Sequence, residues 1–266
     1  MTILADIIAA TRRKVDETRS RADLRMMERE ITAHRPRGFR SALASASKSG
    51  IAIIAELKKA SPSRGLIRAD FDPALLAREL EKAGAAALSV LTEEDYFQGS
   101  LANLRTASAN ASIPCLRKDF IVDEFQLLEA RANHADAVLL IVAALSESEL
   151  NLLIHRACEL ELDVLCEVHD EAEVERALAA GCDLIGVNNR DLKTFQVSLD
   201  TGLRLRNKIP DDVLTVAESG IENGSDINKL RAAGFDAFLV GETLMKAAVP
   251  GKALENLLNA AMPVAR

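Results

Sequence analysis

Eight short apolar segments recur along this chain, and an amphipathic segment separates each of them from the next. Their starts lie about 20 to 35 residues apart, which is enough for a strand, a loop and a helix. Several segments contain continuous apolar runs rather than alternating apolar and polar residues, as expected of parallel strands that are covered on both faces. The eight segments are AIIAEL (52–57), AALSVL (86–91), IPCLRK (113–118), DAVLLIV (136–142), DVLCEV (163–168), DLIGVN (183–188), VLTVAE (213–218) and DAFLVG (236–241).

The segments between these predicted strands have the pattern of helices, because their apolar residues recur at spacings of three and four. Asp72 followed by Pro73 is typical of a helix start, and Gly84 is typical of a helix end. The clearest helical segments are 73–85, 123–135, 146–162 and 170–182.

Eight strand–helix units with no linker between them predict an α/β protein that closes into a (β/α)8 TIM barrel. A doubly wound open sheet is the alternative fold, and it would not require eight units. A length of 266 residues is ordinary for one such barrel. We therefore expect a single domain over residues 1–266, in which residues 1–50 form an N-terminal helical extension that caps the barrel. Two helices are expected in the extension, around 3–20 and 23–33.

Composition argues against several classes of protein. The net charge is −7 and no long basic block is present, so neither nucleic acid nor an anionic membrane is an expected partner. The longest apolar run, 137–145, is too short for a membrane span, and the first residues do not follow the charge order of a secretory signal. No metal-binding pattern is present. Four cysteines are expected to be reduced core thiols of a cytoplasmic protein: Cys115, Cys158, Cys166 and Cys182.

Charged residues end four of the apolar segments, namely Glu56, Lys118, Glu167 and Glu218. In a barrel of this class the functional residues lie at the C-terminal ends of the strands and in the loops that follow. One charge at a strand end is usually a solvated loop residue. Opposite charges that meet at the barrel mouth would instead shift each other's pKa values, as acids and bases at catalytic sites do. Further polar residues follow the first and sixth strands: Lys58, Ser61, Asn188 and Arg190.

Glycines after the last two predicted strands indicate a phosphate site. Ser219 and Gly220 follow the seventh strand, and Gly241 and Glu242 follow the eighth. In such barrels these two loops commonly bind phosphate through backbone N–H groups. Glycine allows the backbone to approach an anion closely, although glycines also end strands for purely structural reasons.

Seven segments of this chain resemble those of the indole-3-glycerol phosphate synthase family, and they occur in the family's order between residues 51 and 246. The combination is specific, because other phosphate-binding barrels share only the last two segments. The seven segments are AELKKASPSRG, SVLTEEDYFQGS, PCLRKDFIVDEFQ, CEVHDEAE, GVNNRDL, AESGI and LVGETLM.

The resemblance implies a reaction in tryptophan biosynthesis. The substrate would be 1-(2-carboxyphenylamino)-1-deoxyribulose 5-phosphate, and the products indole-3-glycerol phosphate, carbon dioxide and water. Lys118 resembles the general acid that protonates the ketone oxygen, and Glu167 resembles the proton-transfer partner of the later dehydration. A positioned acid contributes about 10²–10⁴-fold to a rate. Both Lys58 and Lys118 remain candidates for the acid of each step.

The resemblance also implies binding roles. Lys58, Ser61 and Arg190 resemble the group that receives the anthranilate carboxylate, while Phe97 and Phe120 are expected to line the ring pocket. The residues that resemble polar groups holding the lysines and the sugar hydroxyls are Glu56, Asn188 and Glu218.

One position departs from the family pattern. Many relatives have a serine directly after the glycine that Gly241 matches, where this chain has Glu242. A glutamate side chain cannot donate a hydrogen bond to phosphate. Glu242 is therefore expected to contribute only its backbone N–H, with its carboxylate turned to solvent.

Two other functions are alternatives for this sequence. An isomerase of aminosugar phosphates, such as phosphoribosylanthranilate isomerase, would share the phosphate loops but would not account for Lys118 together with Glu167. A non-catalytic phosphate-binding barrel would be expected to lack the charges at the strand ends. The expected enzyme needs neither a metal nor an organic cofactor, and its one expected partner is a small phosphorylated substrate, with no sign of an obligate protein partner.

Overall fold

Eight parallel strands form a closed barrel in the computed structural model, which describes residues 3–192 and 194–261. Each strand pairs with the next along the chain, and the last pairs with the first. The predicted (β/α)8 barrel is therefore confirmed, and the open sheet is excluded. Of the domain predicted over 1–266, residues 1, 2, 193 and 262–266 lie outside the described part. The first to eighth barrel strands are Ala52–Leu57, Ala87–Leu91, Cys115–Lys118, Ala137–Ile141, Asp163–Val168, Leu184–Asn188, Leu214–Glu218 and Ala237–Val240.

Helices connect the strands and cover the outside of the barrel. The predicted start of the first connecting helix is confirmed, because the Asp72 side chain accepts hydrogen bonds from the backbone N–H groups of Ala74 and Leu75. Gly84, after that helix, has a φ of 99°, a conformation that glycine adopts without strain. The helices are α1 (Ile3–Arg21), α2 (Leu24–Ala33), α3 (Phe39–Ser49), α4 (Pro73–Lys82), α5 (Leu101–Ala109), α6 (Glu124–Ala132), α7 (Glu147–Glu159), α8 (Glu171–Ala179), α9 (Leu199–Arg206), α10 (Gly224–Ala232), α11 (Glu242–Met245) and α12 (Pro250–Ala260).

The extension before the barrel contains three helices rather than the two that were predicted. The helix missed is α3, which closes the floor of the barrel, the end opposite the C-terminal ends of the strands. Its Phe39 and Leu43 are fully buried against inward-facing residues such as Leu116 and Leu165. The sequence of α3, FRSALASASKS, has only these two large apolar residues, so its helical pattern is weak.

Helix α1 lies at the other end of the barrel, the mouth. Its Leu4 and Ile7 line a cavity there. Ion pairs tie the helix to the loops and helix starts of the rim, and one of them joins Arg12 to Glu149 in the first turn of α7 at 2.7 Å. Two more join Lys14 to Glu94 and Arg19 to Asp123. The extension therefore covers both ends of the barrel.

The expectation of four reduced core thiols is wrong. Cys166 and Cys182 form a disulfide, and Cys158 is exposed, so only Cys115 is a buried free thiol. Cys166 is on the fifth strand, and Cys182 precedes the neighbouring sixth strand, which places their Cα atoms 6.6 Å apart. Apolar surroundings in the sequence did not indicate which strands would be neighbours. The thiol-based reason for a cytoplasmic location therefore does not hold.

In the described part of the chain, no helix combines the length and the apolar character needed to cross a membrane. Within residues 3–192 and 194–261, no group of three or more histidine, cysteine, aspartate or glutamate side chains is placed to bind a metal ion.

Candidate active site

Four charged side chains meet inside the barrel mouth because each follows an inward-facing apolar residue by two positions. Side chains on a strand alternate between its two faces, so a residue two positions along points the same way. The four come from the first, third, fifth and seventh strands, and alternate strands of such a barrel contribute to one interior layer. The pairs of apolar and charged residues are Ile54 and Glu56, Leu116 and Lys118, Leu165 and Glu167, and Val216 and Glu218.

Lys118 is at the centre of this layer. Its Nζ lies 3.2 Å from Oε2 of Glu167 and 3.5 Å from Oε2 of Glu218. Asn188 donates a hydrogen bond of 3.2 Å to the other oxygen of Glu167. Glu167, Glu218 and Asn188 are all buried, with exposed fractions of 2%, 1% and 8%. Such desolvated contacts are far stronger than ion pairs on the surface.

Lys58, which directly follows the first strand, forms a second ion pair at the mouth. Its Nζ lies 2.7 Å from Oε1 of Glu56, which is almost fully buried. Burial disfavours the charged form of Glu56, but Lys58 and Lys118 together lower the pKa of Glu56 below its ordinary value. Both lysines of the mouth thus face a carboxylate that stays ionised.

The pKa values of the two carboxyl groups beside Lys118 are shifted in opposite directions. Burial, with the nearby carboxylates of Glu167 and Glu56, raises the pKa of Glu218 to about 8 against the effect of Lys118. Burial opposes ionisation of Glu167 too, but Lys118, His169 and Asn188 lower the pKa of Glu167. The two groups share one lysine, and Glu167 has the additional partners, so the negative charge resides on Glu167.

Burial alone would lower the pKa of Lys118, but the carboxylates of Glu167, Glu218 and Glu56 raise it well above its ordinary value. At neutral pH the mouth therefore holds an ammonium group, a carboxylate and a carboxylic acid in contact. Groups whose pKa values are driven apart in this way suit a reaction with several proton transfers.

Two glycines make room for the carboxyl groups. A side chain at Gly186 would collide with Glu218, and one at Gly241 would collide with Glu56. The sequence reasoning missed Gly186, although a glycine in the middle of a strand often marks a close approach of other atoms. For Gly241 it follows that any larger residue disturbs Glu56, whether or not a phosphate binds nearby.

The cavity above the charged layer has an apolar wall. The rings of Phe97 and Phe120 lie 6.3 Å apart and are tilted by 43°. Leu4 and Ile7 of α1 and the buried Ser61 line the same cavity. The structure thus places both predicted phenylalanines and the predicted serine at the mouth, and it adds two residues of α1 that sequence reasoning had left in the extension.

A second cavity adjoins the first, and the predicted phosphate loops surround it. Ser219 and Gly220 have φ values of 65° and 77°, so the backbone turns sharply after the seventh strand. Lys58 and Arg190 line both cavities, which places a cation at the boundary between them. The second cavity is lined in part by Ser219, Gly220, Gly241, Glu242, Arg64 and Lys246. All the residues predicted for the site are thereby brought to one end of the barrel.

The expectation that the Glu242 carboxylate turns to solvent is wrong. One of its oxygens lies 2.9 Å from Arg64 Nε and 2.5 Å from Lys246 Nζ, and the other lies 3.8 Å from Arg190. Burial disfavours its ionised form, but Lys246, Arg64 and Lys58 lower the pKa of Glu242. The carboxylate is an anion inside the second cavity, among cations that the sequence had not connected with it.

One known protein family matches nearly the whole chain. A family model described as "Indole-3-glycerol phosphate synthase" matches residues 4–257. The chain belongs to the indole-3-glycerol phosphate synthase family. A protein of that name from Koribacter versatilis is 54% identical over 255 residues, covering 96% of this chain and 98% of the relative. Another from Polaromonas naphthalenivorans is 48% identical over 257 residues, with coverages of 96% and 98%.

Solved structures that resemble the chain in fold are more distant. A thiamine phosphate pyrophosphorylase from Pyrococcus furiosus has a TM-score of 0.60 at 17% identity, covering 79% of this chain and 95% of its own. A lactate oxidase from Pediococcus acidilactici has a TM-score of 0.58 at 18% identity, with coverages of 77% and 68%. At these identities the likeness shows the barrel fold alone.

Within this member of the indole-3-glycerol phosphate synthase family, the residues missed by sequence reasoning include three more that contact the charged groups of the site. They are Gly186 beside Glu218, Arg64 beside Glu242, and His169 beside Glu167. Arg64 and His169 both belong to segments that carried the family resemblance. Their contacts depend on how the first and fifth loops fold over the mouth, which strand periodicity does not determine.

Proposed function

We propose that this chain converts 1-(2-carboxyphenylamino)-1-deoxyribulose 5-phosphate into indole-3-glycerol phosphate, carbon dioxide and water. The observation that carries the proposal is the Lys118 ammonium group, held between Glu167 and Glu218 under an apolar cavity. A ketone becomes a good electrophile when a cation donates a proton to its oxygen. The membership of the chain in the family supports the same reaction.

The two adjoining cavities suit the two ends of this substrate. The aromatic ring would lie against Phe97 and Phe120, and its carboxylate would face Lys58 and Arg190. The phosphate would enter the second cavity. Its ligands there would be the backbone N–H groups of the two glycine loops, at 219–220 and 241–242, together with the cations that line the cavity.

Ring closure is the first chemical step. The aromatic carbon that carries the carboxylate attacks the ketone carbon, and Lys118 gives its proton to the oxygen that becomes a hydroxyl. The bond between the ring and the carboxylate then breaks, carbon dioxide leaves, and its electron pair restores the aromatic ring. Glu167 and Glu218 hold Lys118 at the oxygen during the attack.

Dehydration is the second step, and it needs one proton delivered and one removed. Lys58 is the proposed donor to the leaving hydroxyl, since it lies at the mouth on the side opposite Glu167. Glu167 takes the proton from the substrate carbon, which forms the double bond of the indole ring. The proton gained by Glu167 and the protons lost by the lysines return through solvent, so the enzyme is restored.

Neither a metal nor an organic cofactor has a part in these steps, because protonation and deprotonation by side chains account for each bond. We propose that the enzyme acts in the cytoplasm and needs only its small phosphorylated substrate, with no obligate protein partner.

Incubation of the purified protein with the substrate tests the proposal. Indole fluorescence is expected to rise, and one equivalent of carbon dioxide is expected for each indole formed. Phosphoribosylanthranilate serves as the control substrate. Turnover of the control with no indole from the proposed substrate would establish the isomerase instead, and no turnover of either would leave a phosphate-binding barrel without this activity.

A further inference from the structure

His169 directly follows the fifth barrel strand, and it lines the cleft beside the first cavity rather than the first cavity itself. Its Nε2 is 3.2 Å from Oε1 of Glu167, and its Nδ1 is 3.0 Å from Oε2 of Glu173 in the first turn of α8. The same Glu173 oxygen accepts a hydrogen bond of 2.8 Å from the backbone N–H of His169. The ring is therefore fixed between two carboxyl groups, and 12% of its side-chain surface is exposed.

Glu167 is held from two sides as a result. Lys118 contacts one of its oxygens, and Asn188 and His169 contact the other. The contact with His169 is an ion pair rather than an aligned hydrogen bond, since Nε2 does not point along the line that a hydrogen bond requires.

The ring is a cation in this setting. Burial alone would disfavour its charge, but the carboxylates of Glu167 and Glu173 raise the pKa of His169 to about 10. The positive ring in turn helps to lower the pKa of Glu167. The charged groups around this ring and the cleft beside it are Glu167, Asp170, Glu173, Arg190, Asp191 and Arg204.

We propose that His169 is a positioning residue for the reaction: it orients the Glu167 carboxylate toward the substrate and keeps it available as a base. The inference rests on the proposed function, in which Glu167 removes a proton during dehydration. Glu173 supports His169 from behind and selects the ring orientation in which Nε2 faces Glu167. The contacts of His169 thus extend the site from the mouth into the first turn of α8.

Three variants separate positioning from a merely structural role. In His169→Leu we expect kcat to fall by about tenfold to a hundredfold, with KM within about threefold, because a misplaced catalytic group costs rate rather than binding. In His169→Gln the amide can donate from nearly the same place as Nε2, so most of the lost rate is expected to return at alkaline pH. His155→Gln, at an exposed histidine of α7, is the matched control and should leave kcat unchanged.

The pH profile of kcat adds a second readout. Loss of the cation raises the pKa of Glu167, so the decline of kcat at acid pH should move to higher pH in both His169 variants. Equal losses in both variants, with raised KM and lowered melting temperature, would show a structural role. A kcat for His169→Leu within twofold of the wild type, with an unchanged profile, would also overturn the proposal.

Nuclear magnetic resonance tests the contact without any turnover. The chain has four histidines, so the ring signals of His169 can be assigned by comparison with His169→Gln. The pKa of His169 should fall in Glu167→Gln and again in Glu173→Gln. An unchanged His169 titration in Glu167→Gln would refute the contact. If the wild type formed no indole while this coupling held, the proposed reaction would fail and the paired geometry would stand.

Discussion

The floor and the mouth of the barrel both bury charged groups, but the hydrogen bonding of these groups differs between the two ends. At the floor, the fully buried Asp136 accepts hydrogen bonds from Arg37 and from the backbone N–H of Cys115, and its two oxygens have several donors each. At the mouth, one oxygen of the buried Glu218 has no hydrogen-bond partner among the described residues. Each oxygen of the Asp136 carboxylate therefore has its donors, whereas Glu218 retains unused capacity for a hydrogen bond.

This difference separates stability from function. Burial opposes ionisation at Asp136, but His34, Arg37 and the Cys115 backbone lower its pKa, so the floor favours the charged form. At the mouth burial prevails at Glu218 and raises its pKa to about 8. A buried polar group that lacks a partner is costly, and such costs concentrate at functional sites. The floor holds the N-terminal segment on the barrel, and the mouth is arranged for a substrate.

The largest effect is expected at the centre of the mouth. Lys118→Ala should lower kcat by about 10³-fold or more while KM stays within about tenfold, because the lysine acts mostly in the transition state. Steady-state kinetics measures both values. Lys48→Ala, at an exposed lysine of α3 on the floor, is the control and should change neither. A Lys118→Ala enzyme with kcat within tenfold of the wild type would remove this lysine from the mechanism.

The next largest effect is expected at the floor, and in stability alone. Asp136→Ala leaves Arg37 partly buried with its main partner gone, and breaking a buried ion pair costs about 3–5 kcal/mol of unfolding free energy. Asp183→Ala is the matched control, because Asp183 also precedes a strand but is largely exposed in its pair with Arg40. Its cost should be about 0–1 kcal/mol.

Denaturant unfolding gives these free energies, and kcat is measured on the folded fraction. The folded Asp136→Ala protein should keep a kcat within about twofold of the wild type. A large fall in its kcat with little loss of stability would contradict the division between floor and mouth.

A smaller effect is expected at Glu242, at the edge of the mouth. Its carboxylate is already paired with Arg64, Lys246 and Arg190. A phosphate in the same cavity would therefore be repelled by the negative charge of Glu242. Glu242→Gln should therefore lower KM by about threefold to tenfold, which corresponds to about 1 kcal/mol, the interaction between two unit charges ~4 Å apart in water. Glu222→Gln, at an exposed glutamate of the same cavity, is the control. A raised KM would show that Glu242 organises the cations for the phosphate rather than competing with it.

The sequence predicted most of the fold and the members of the site, and each failure has a physical cause. Every barrel strand lies within its predicted segment, because continuous apolar runs identify parallel strands. Helix α3 was missed because it buries only Phe39 and Leu43. The disulfide of Cys166 and the ion pairs of Glu242 with Arg64 and Arg190 were missed because they join separate loops or strands. Periodicity places a side chain on a face, but it does not give its partner across the barrel.

Glu218 is buried at the mouth at a cost in stability, and this burial serves the reaction. The variant Glu218→Gln tests this most directly. A glutamate with a folded pKa near 8, above its ordinary 4.5, binds its proton more tightly in the folded state. Stability of the wild type is therefore lost as pH rises from about 4.5 through about 8, and the glutamine variant lacks this loss.

The measurement is the melting temperature of both proteins from pH 5 to pH 9, with kcat determined on the same samples. We predict similar melting temperatures near pH 5, a higher melting temperature for Glu218→Gln near pH 9, and a lower kcat for the variant throughout. Parallel melting curves across this range together with an undiminished kcat would contradict the account.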